Sequence, residues 1–168
     1  MTKVWIFFTS IRVIKSPLPS YTSTQVHQGH YLLLPESASD KTLPIIDFAG
    51  WELCEENYSI DRKSFHRHAI EYIAGGQWTL TTPAGEWQLT TGSIFAYGPG
   101  VQYTLQAESK KGLSKFFVDF QNPKNRELPS AISELTLRPG FVYEHRWLKN
   151  LFDHMLDLRD FPLGRRRL

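Results

Sequence analysis

The sequence has little cysteine, little net charge and no long apolar run. Its single cysteine, Cys54, excludes an internal disulfide framework and is typical of proteins from a reducing compartment, so we expect a cytoplasmic location. The formal net charge of +2 gives no bulk electrostatic reason to expect direct nucleic-acid binding. Since no segment approaches the length of a membrane span, we expect no membrane partner.

The N-terminal segment lacks the features of a secretory signal. Its apolar run, residues 4–8, is interrupted early by polar residues and Arg12, and no small-residue cleavage pattern follows. Pro17, Pro19 and several Ser and Thr residues are typical of a linker. We therefore expect residues 1–24 to form a flexible arm with too little pattern to fold alone.

The middle of the sequence is a series of short apolar or alternating segments separated by glycine and proline turns. The length of 168 residues suits one domain, and the aromatic fraction of 14% suits strands or a pocket lined with rings. Strands at this spacing, without alternating helices, predict an antiparallel sandwich or barrel. The expected strands cover residues 30–34, 43–48, 69–74, 77–82, 86–90, 93–97, 101–106 and 115–120.

A helical pattern follows Asn122-Pro123. Apolar residues recur at helical spacing within residues 141–158, and proline residues near both ends supply sensible boundaries. An earlier short helix is expected over residues 130–135. The apolar stripe of the later helix includes Leu148, Leu151, Phe152 and Met155.

Four motifs follow one another in the β segment. They are Glu71-Tyr72-Ile73-Ala74-Gly75-Gly76, Gly92-Ser93-Ile94-Phe95-Ala96-Tyr97, Pro99-Gly100 and Lys115-Phe116-Phe117-Val118-Asp119-Phe120. In order and spacing, over residues 45–120, they resemble the N-terminal cupin domain of AraC-family transcription regulators. The resemblance implies a mainly β fold: a double-stranded β-helix (cupin or jelly-roll) barrel followed by C-terminal helices. The expected units are the arm (1–24), the barrel (25–122) and a helical dimerisation and connector segment (123–168).

The resemblance also implies partners. A barrel of this type holds one small-molecule effector, and the following helix pairs with its copy in a homodimer, so that Leu148, Leu151, Phe152 and Met155 become dimerisation residues. The same stripe could instead pack on the outside of its own barrel. The family's DNA-binding helix-turn-helix pair has no counterpart here, so DNA contact is expected only through a domain missing from this chain. The arginines at 165–167 then begin a connector.

His66 and His68 are the residues most suggestive of metal chemistry. At positions i and i+2 of a strand, their side chains would share one face, here the barrel interior. Metal-binding cupins present such a pair, a following glutamate and a later histidine. Glu71 follows too closely and should point to the opposite face, and Tyr103 stands where the later histidine would be. We therefore expect no metal, no cofactor and no catalytic residue, and predict that the two histidines hydrogen-bond a polar ligand.

The other predicted ligand-binding residues are aromatic or cationic. Tyr72, Trp78, Trp87 and Tyr103 could stack on a sugar ring or close over an aromatic acid. Arg62 could pair with a carboxylate or with sugar hydroxyls. The simpler alternatives are core positions for the aromatic residues and a solvated turn for the arginine.

The sequence therefore predicts a non-enzymatic sensing and dimerisation domain of an AraC-type regulator. A small effector, with sugars among the candidates, would change how the arm, barrel and helix pack by preferring one arrangement. One alternative is a metal-dependent cupin enzyme of the isomerase or dioxygenase type. Another is a barrel that is filled by its own side chains and serves only to dimerise.

Overall fold

The computed structural model describes residues 17–34, 44–123 and 126–157. Alternating inward and outward side chains build two antiparallel sheets that face each other. The elements in chain order are β1 (Val26–Leu33), β2 (Ile45–Cys54), β3 (Ser59–Arg62), β4 (His68–Gly75), β5 (Gln77–Thr82), β6 (Gly85–Thr90), β7 (Ser93–Tyr97), β8 (Tyr103–Ala107), β9 (Ser114–Gln121), α1 (Ser130–Leu137), β10 (Gly140–Phe141) and α2 (His145–Asp157).

Strands that are close in sequence are divided between the two sheets. The six-stranded sheet has the order β1-β2-β9-β4-β7-β10, and the four-stranded sheet has the order β3-β8-β5-β6. This interleaving is the double-stranded β-helix, so the predicted cupin or jelly-roll fold with C-terminal helices is confirmed. In the described ranges no helix is long and apolar enough to cross a membrane.

Both faces of the six-stranded sheet are covered. On β9 the side chains of Phe116 and Phe120 lie on the outer face, whereas Lys115, Phe117 and Asp119 face the other sheet. Between the sheets lies a core of aromatic and aliphatic side chains, and α2 packs against the outer face with the buried Phe152 and Leu156. The sheet therefore separates an inner compartment from a helix-covered outer core.

The apolar stripe of α2 is divided between two environments. The Phe152 ring stacks on Phe116 with centroids 4.8 Å apart, and Leu148 and Met155 are partly buried in the same outer core. Leu151, in contrast, is 52% exposed. Three of the four predicted dimerisation residues thus lie against their own barrel, as in the alternative interpretation of the stripe, and Leu151 remains on the surface.

Several element boundaries differ from the prediction. β2 was expected to end at Ala49-Gly50 but continues to Cys54, because Gly50 lets the Phe117 and Tyr31 rings approach its backbone: a Cβ there would lie 2.7 Å from ring carbons of both. The later helix was expected from residue 141 and begins at His145, since Phe141 pairs with β7 instead. The strand β3 was not predicted.

The structure describes only part of the predicted arm. Residues 1–16 and the arginines at 165–167 lie outside the described residues. The described part, residues 17–24, lies on the barrel, where the Tyr21 ring contacts Phe65 edge-on at 5.3 Å and Phe48 at 6.2 Å. The contacts of this segment place it at one entrance to the inner compartment.

Candidate functional site

Charged side chains occupy the inner faces of three neighbouring strands of the six-stranded sheet. Glu52 lies on β2, Glu71 on β4, and Lys115 and Asp119 on β9, and all four are buried. A buried charge costs several kcal/mol unless it is paired and hydrogen-bonded, and apolar side chains of similar size would serve a purely structural core at least as well. This interior therefore has a polar character that the fold itself does not require.

Lys115 is the centre of a network of ion pairs and hydrogen bonds, in which its contact with Glu71 is a hydrogen bond and its contact with Glu52 is an ion pair. Its Nζ lies 3.1 Å from Glu52 Oε2 and 3.0 Å from Glu71 Oε2. The Tyr97 hydroxyl donates to Glu71 Oε1 at 2.8 Å, and the Tyr31 hydroxyl donates to Glu52 Oε1 at 3.2 Å. Although burial alone would lower it, the two carboxylates hold the pKa of Lys115 well above its ordinary value. The network thus fixes one ammonium between two carboxylates.

The charged groups line a cavity between the sheets. Its volume is about 300 Å³ including the part open to solvent, but in this state it admits only about one water molecule. The entrance segment, residues 21–23, forms one wall. The other aromatic and charged lining residues are Phe48, Glu52, Tyr58, Arg62, Phe65, Glu71, Tyr97, Lys115, Phe117 and Asp119.

Arg62 joins the entrance segment to the barrel. Its Nη2 donates to the Tyr21 carbonyl oxygen at 2.6 Å, and its Nε donates to the Tyr103 hydroxyl at 3.1 Å. The guanidinium carbon also lies 5.2 Å from the centroid of the Phe65 ring. These contacts hold the arginine at the cavity edge, where it can reach both the arm and a bound molecule.

Several polar groups of the cavity lack a partner among the described residues. The buried hydroxyls of Tyr58 and Thr22 form no hydrogen bond there, and the buried Asp119 carboxyl forms no ion pair with another described residue. Burial, and next the charge of Glu71, raise the pKa of Asp119 to about 7. Because buried polar groups are nearly always satisfied by protein, water or ligand, these groups mark the cavity as a place for a bound molecule.

The raised pKa of Asp119 predicts an unusual pH dependence of stability. A folded pKa above the unfolded value means that the folded state binds more protons between about pH 4 and 7, so the free energy of unfolding falls as pH rises across this range, and the loss is complete above about pH 7. Asp119→Asn should therefore be more stable than the wild type at pH 8, by about 1–3 kcal/mol, with a smaller difference at pH 5. Urea unfolding at both pH values measures this, and a less stable variant at pH 8 would contradict it.

The expectation that His66 and His68 share the interior face of a strand is wrong. β4 begins at His68, so His66 precedes the strand and is exposed. His68 is half-buried on the outer side, where its ring stacks on Phe120 at 5.4 Å, and burial lowers its pKa. Strand alternation instead brings Glu71 into the cavity, opposite to His68 as predicted. In the described ranges no three His, Cys, Asp or Glu side chains are grouped to hold a metal ion.

The four aromatic residues predicted to bind a ligand lie at different positions relative to this cavity. Trp78 is fully buried between the sheets, with its Nε1 donating to the Gly75 carbonyl at 3.0 Å. Trp87 is half-buried against the same core, and Tyr72 lies under α2 on the far side of the sheet. Tyr103 is buried beside the cavity, with its ring 4.2 Å from that of Tyr97. Ligand binding by Trp78, Trp87 and Tyr72 would need a site other than this cavity, whereas the predicted Arg62 lines it.

The sequence-based prediction missed the acidic and basic residues of the interior. Lys115 and Asp119 stand at i and i+4 of a strand otherwise rich in aromatic residues, which places them on the same face. Charged residues are almost never fully buried unless paired, so a charge repeated with period two inside an aromatic strand is the signal that could have found them. Glu52 shows the same signal between Trp51 and Leu53.

Comparisons with known proteins relate this chain to one family and to several solved structures. The family model for the AraC-like ligand binding domain matches residues 45–160. No curated protein sequence matches the chain. Among solved structures, the chain is similar to the protein YhaK from Escherichia coli, with 17% identity and a TM-score of 0.49 over 62% of this chain and 49% of YhaK, so it spans about half of that protein.

Two further solved structures are also similar. The cupin domain of Schizosaccharomyces pombe Cnp3 is 17% identical, with a TM-score of 0.44 over 66% of this chain and 76% of that one. KdgF from Halomonas sp. is 12% identical, with a TM-score of 0.38 over 49% of this chain and 78% of that one.

Proposed function

This chain belongs to the family of AraC-like ligand-binding domains, and from that premise we propose that it is the effector-sensing part of an AraC-type transcription regulator. The observation that carries the proposal is the buried, charged cavity, which holds the unsatisfied Tyr58 hydroxyl and the Asp119 carboxyl with its raised pKa. DNA contact would then belong to a helix-turn-helix domain of a longer parent protein.

We propose that the effector binds among the residues of this cavity. Carboxylates, an ammonium, a guanidinium and tyrosine hydroxyls are all available there for hydrogen bonds to a polar molecule. Aromatic rings such as Phe48 and Phe117 supply apolar contact. Such a combination of apolar walls and a few fixed polar groups is typical of small-molecule sites.

The entrance segment is the proposed moving part. Because the cavity admits about one water molecule, a larger ligand must displace residues 21–23 or reshape the wall that they form. The contacts that hold this segment centre on Tyr21, through its ring contacts, its hydroxyl beside Arg67 and its carbonyl bond to Arg62. A ligand that favours the displaced arrangement would shift the equilibrium by its difference in affinity for the two states.

A thermal-shift screen tests the binding function. The compounds are sugars, small carboxylic acids and small amines, each added to the wild-type chain. A ligand at a hundred times its Kd adds about 2.7 kcal/mol of stability, which for a domain of this size raises Tm by about 5–10 °C. At least one of these compounds should give such a shift.

Variants locate the binding site of that compound. Its shift should be lost in Glu71→Gln, which alters the cavity, and kept in the matched control Glu86→Gln, which makes the same change at an exposed position of β6 outside it. If Glu86→Gln loses the shift and Glu71→Gln keeps it, the ligand binds elsewhere. If no compound stabilises the protein, the proposed binding function is contradicted.

Homodimerisation through α2 is the second part of the proposal. Since Phe152 packs on the barrel, the face left for a partner carries Leu151 and Trp147, which are 52% and 63% exposed and one helical turn apart. Arg146 lies near the start of α2 and Asp157 at its end, so two antiparallel copies would bring opposite charges together, whereas Asp153 is already paired with Lys149 of its own helix. This complementarity favours a second copy of the chain as the partner.

Leu151→Ser should weaken this dimer. Removing a buried leucine from each subunit costs about 1.5–3 kcal/mol per side chain, so the dimer Kd should rise by at least tenfold. Analytical ultracentrifugation over a concentration series measures the change. The control is Leu137→Ser, which removes an exposed leucine from α1. An unchanged Kd for Leu151→Ser would exclude this face of α2 as the interface.

A further inference from the structure

The charges that line the cavity do not balance. When ionised, Glu52, Glu71 and Asp119 contribute three negative charges, and Lys115 and Arg62 contribute two positive ones, which leaves one negative charge in excess. Lys115 is already engaged by Glu52 and Glu71. The excess therefore falls on Asp119, which has no ion pair with another described residue.

Charged and titratable groups from every neighbouring element act on Asp119. Glu71 on β4 and Asp47 on β2 disfavour its ionised form, and Lys115 on β9 and Arg62 on β3 favour it. Tyr21 from the segment before β1 and Tyr97 on β7 also lie within electrostatic range. Asp47 itself is paired with Arg67 at 3.0 Å, so neither can supply a counter-ion. Taken together, these groups leave the negative charge of ionised Asp119 without a counter-ion.

The aromatic walls of the cavity suit a cation. The Lys115 ammonium already lies 5.6 Å from the Tyr58 ring centroid and 5.3 Å from that of Phe117. The Arg62 guanidinium lies over Phe65 and Tyr21 in the same way. Because ring faces attract cations most strongly where water is excluded, these walls would stabilise a further organic cation. A neutral polyol could hydrogen-bond Asp119 but would leave the excess charge in place.

We propose that the molecule bound in this cavity is a small amine whose ammonium group donates hydrogen bonds to Asp119 and whose body lies against the aromatic walls. The Tyr58 hydroxyl is then available to a second polar atom of the ligand. This inference rests on the proposed ligand-binding function and names the class of its ligand. It also explains why a carboxyl group is kept in the interior without an ion-pair partner among the residues that the structure describes.

The affinity for the amine should depend on pH. The ammonium of a bound amine lowers the pKa of Asp119 from its value of about 7 in the free protein, so binding releases protons near neutral pH. Below pH 7 the affinity should fall, because Asp119 must lose its proton before it can pair with the ammonium. The limiting slope for one proton is about tenfold per pH unit.

The test uses probes that differ in one group. Isothermal titration compares 2-phenylethylamine with 2-phenylethanol and glucosamine with glucose, on the wild-type chain at pH 6 and pH 7.5. At least one amine should bind ten times more tightly than its alcohol or sugar partner, and more tightly at pH 7.5 than at pH 6. Asp119→Asn should abolish the preference for the amine, whereas Asp153→Asn, the same change on the exposed face of α2, should keep it. Circular dichroism and Tm establish that both variants are folded.

Two results would overturn the amine assignment. If the neutral partners bind as tightly as the amines, or if Asp119→Asn keeps the preference, the cavity binds a ligand of another class and the proposed function still stands. If none of the four probes binds, the amine assignment also fails. The ligand-binding function is then decided separately by the thermal-shift screen of sugars, acids and amines.

Discussion

Lys115→Met should destabilise the protein by about 3–5 kcal/mol at pH 7.5, because it leaves Glu52 and Glu71 buried without their shared counter-ion. Urea unfolding at pH 7.5 measures the loss. A loss below about 1 kcal/mol at pH 7.5 would show that the network is not buried as described.

A triple variant separates charge imbalance from lost side-chain volume. Combining Lys115→Met with Glu52→Gln and Glu71→Gln removes all three charges and keeps the shapes of the side chains. Replacing a whole buried ion network is often neutral, whereas breaking it is costly. The triple variant should therefore recover most of the stability that Lys115→Met loses. If it is as unstable as the single variant, volume and not charge causes the loss.

Phe152→Ala is expected to have a comparable effect through a different mechanism. The ring fills the space between α2 and the outer face of the sheet, stacked on Phe116 and Tyr72. Truncating a buried phenylalanine to alanine costs about 3–5 kcal/mol in lost transfer energy and cavity formation. Hydrogen exchange should also show that the amides of α2 lose protection before those of the strands, since this ring anchors the helix.

Leu151→Ala supplies the matched control for Phe152→Ala. It removes an apolar side chain one residue earlier on the same helix, from an exposed position. In dilute, monomeric protein its effect should lie within about 0.5 kcal/mol of zero. The result that would contradict the described orientation of α2 is the reverse order, with Leu151→Ala costing more than Phe152→Ala.

The strand pattern of this protein could be predicted from sequence because period-two alternation and glycine or proline turns coincide. β5 was predicted with its observed bounds of Gln77–Thr82, and β7 with its bounds of Ser93–Tyr97. β2 was cut short because Gly50 resembles a turn in sequence. In the structure it provides room for the Phe117 and Tyr31 rings, which come from distant parts of the chain.

The site was harder to predict because the six-stranded sheet is buried on both faces. Alternation shows that Lys115 and Asp119 share a face, but Phe116 and Phe120 on the opposite face are buried too, so sequence alone does not say which face holds the cavity. The sequence-based prediction placed the ligand at the histidine pair and not at this cavity. Because β4 begins at His68, His66 lies outside the strand. Arg62 was predicted as a ligand-binding residue because a cationic residue just before an expected strand can be recognised in sequence. Its role in the structure depends on its hydrogen bond to the Tyr21 carbonyl.

The stripe on α2 shows a similar ambiguity. Leu148, Phe152 and Met155 suggested a dimer interface, and they pack on the barrel of the same chain. A helix that is apolar on more than one side can cover its own sheet and still present Leu151 and Trp147 to a partner. Periodicity gives the faces of a helix but not which of them lies against its own chain.

The most direct test of the central claim, that the interior cavity binds the effector, is fluorine NMR of protein labelled with 3-fluorotyrosine. The seven tyrosines report from different places: Tyr58 and Tyr97 lie in the cavity, and Tyr72 and Tyr143 lie outside it. The probe is the compound that raises Tm most in the thermal-shift screen. This compound should shift the Tyr58 and Tyr97 resonances and leave those of Tyr72 and Tyr143 in place. Shifts confined to the outer tyrosines would contradict it.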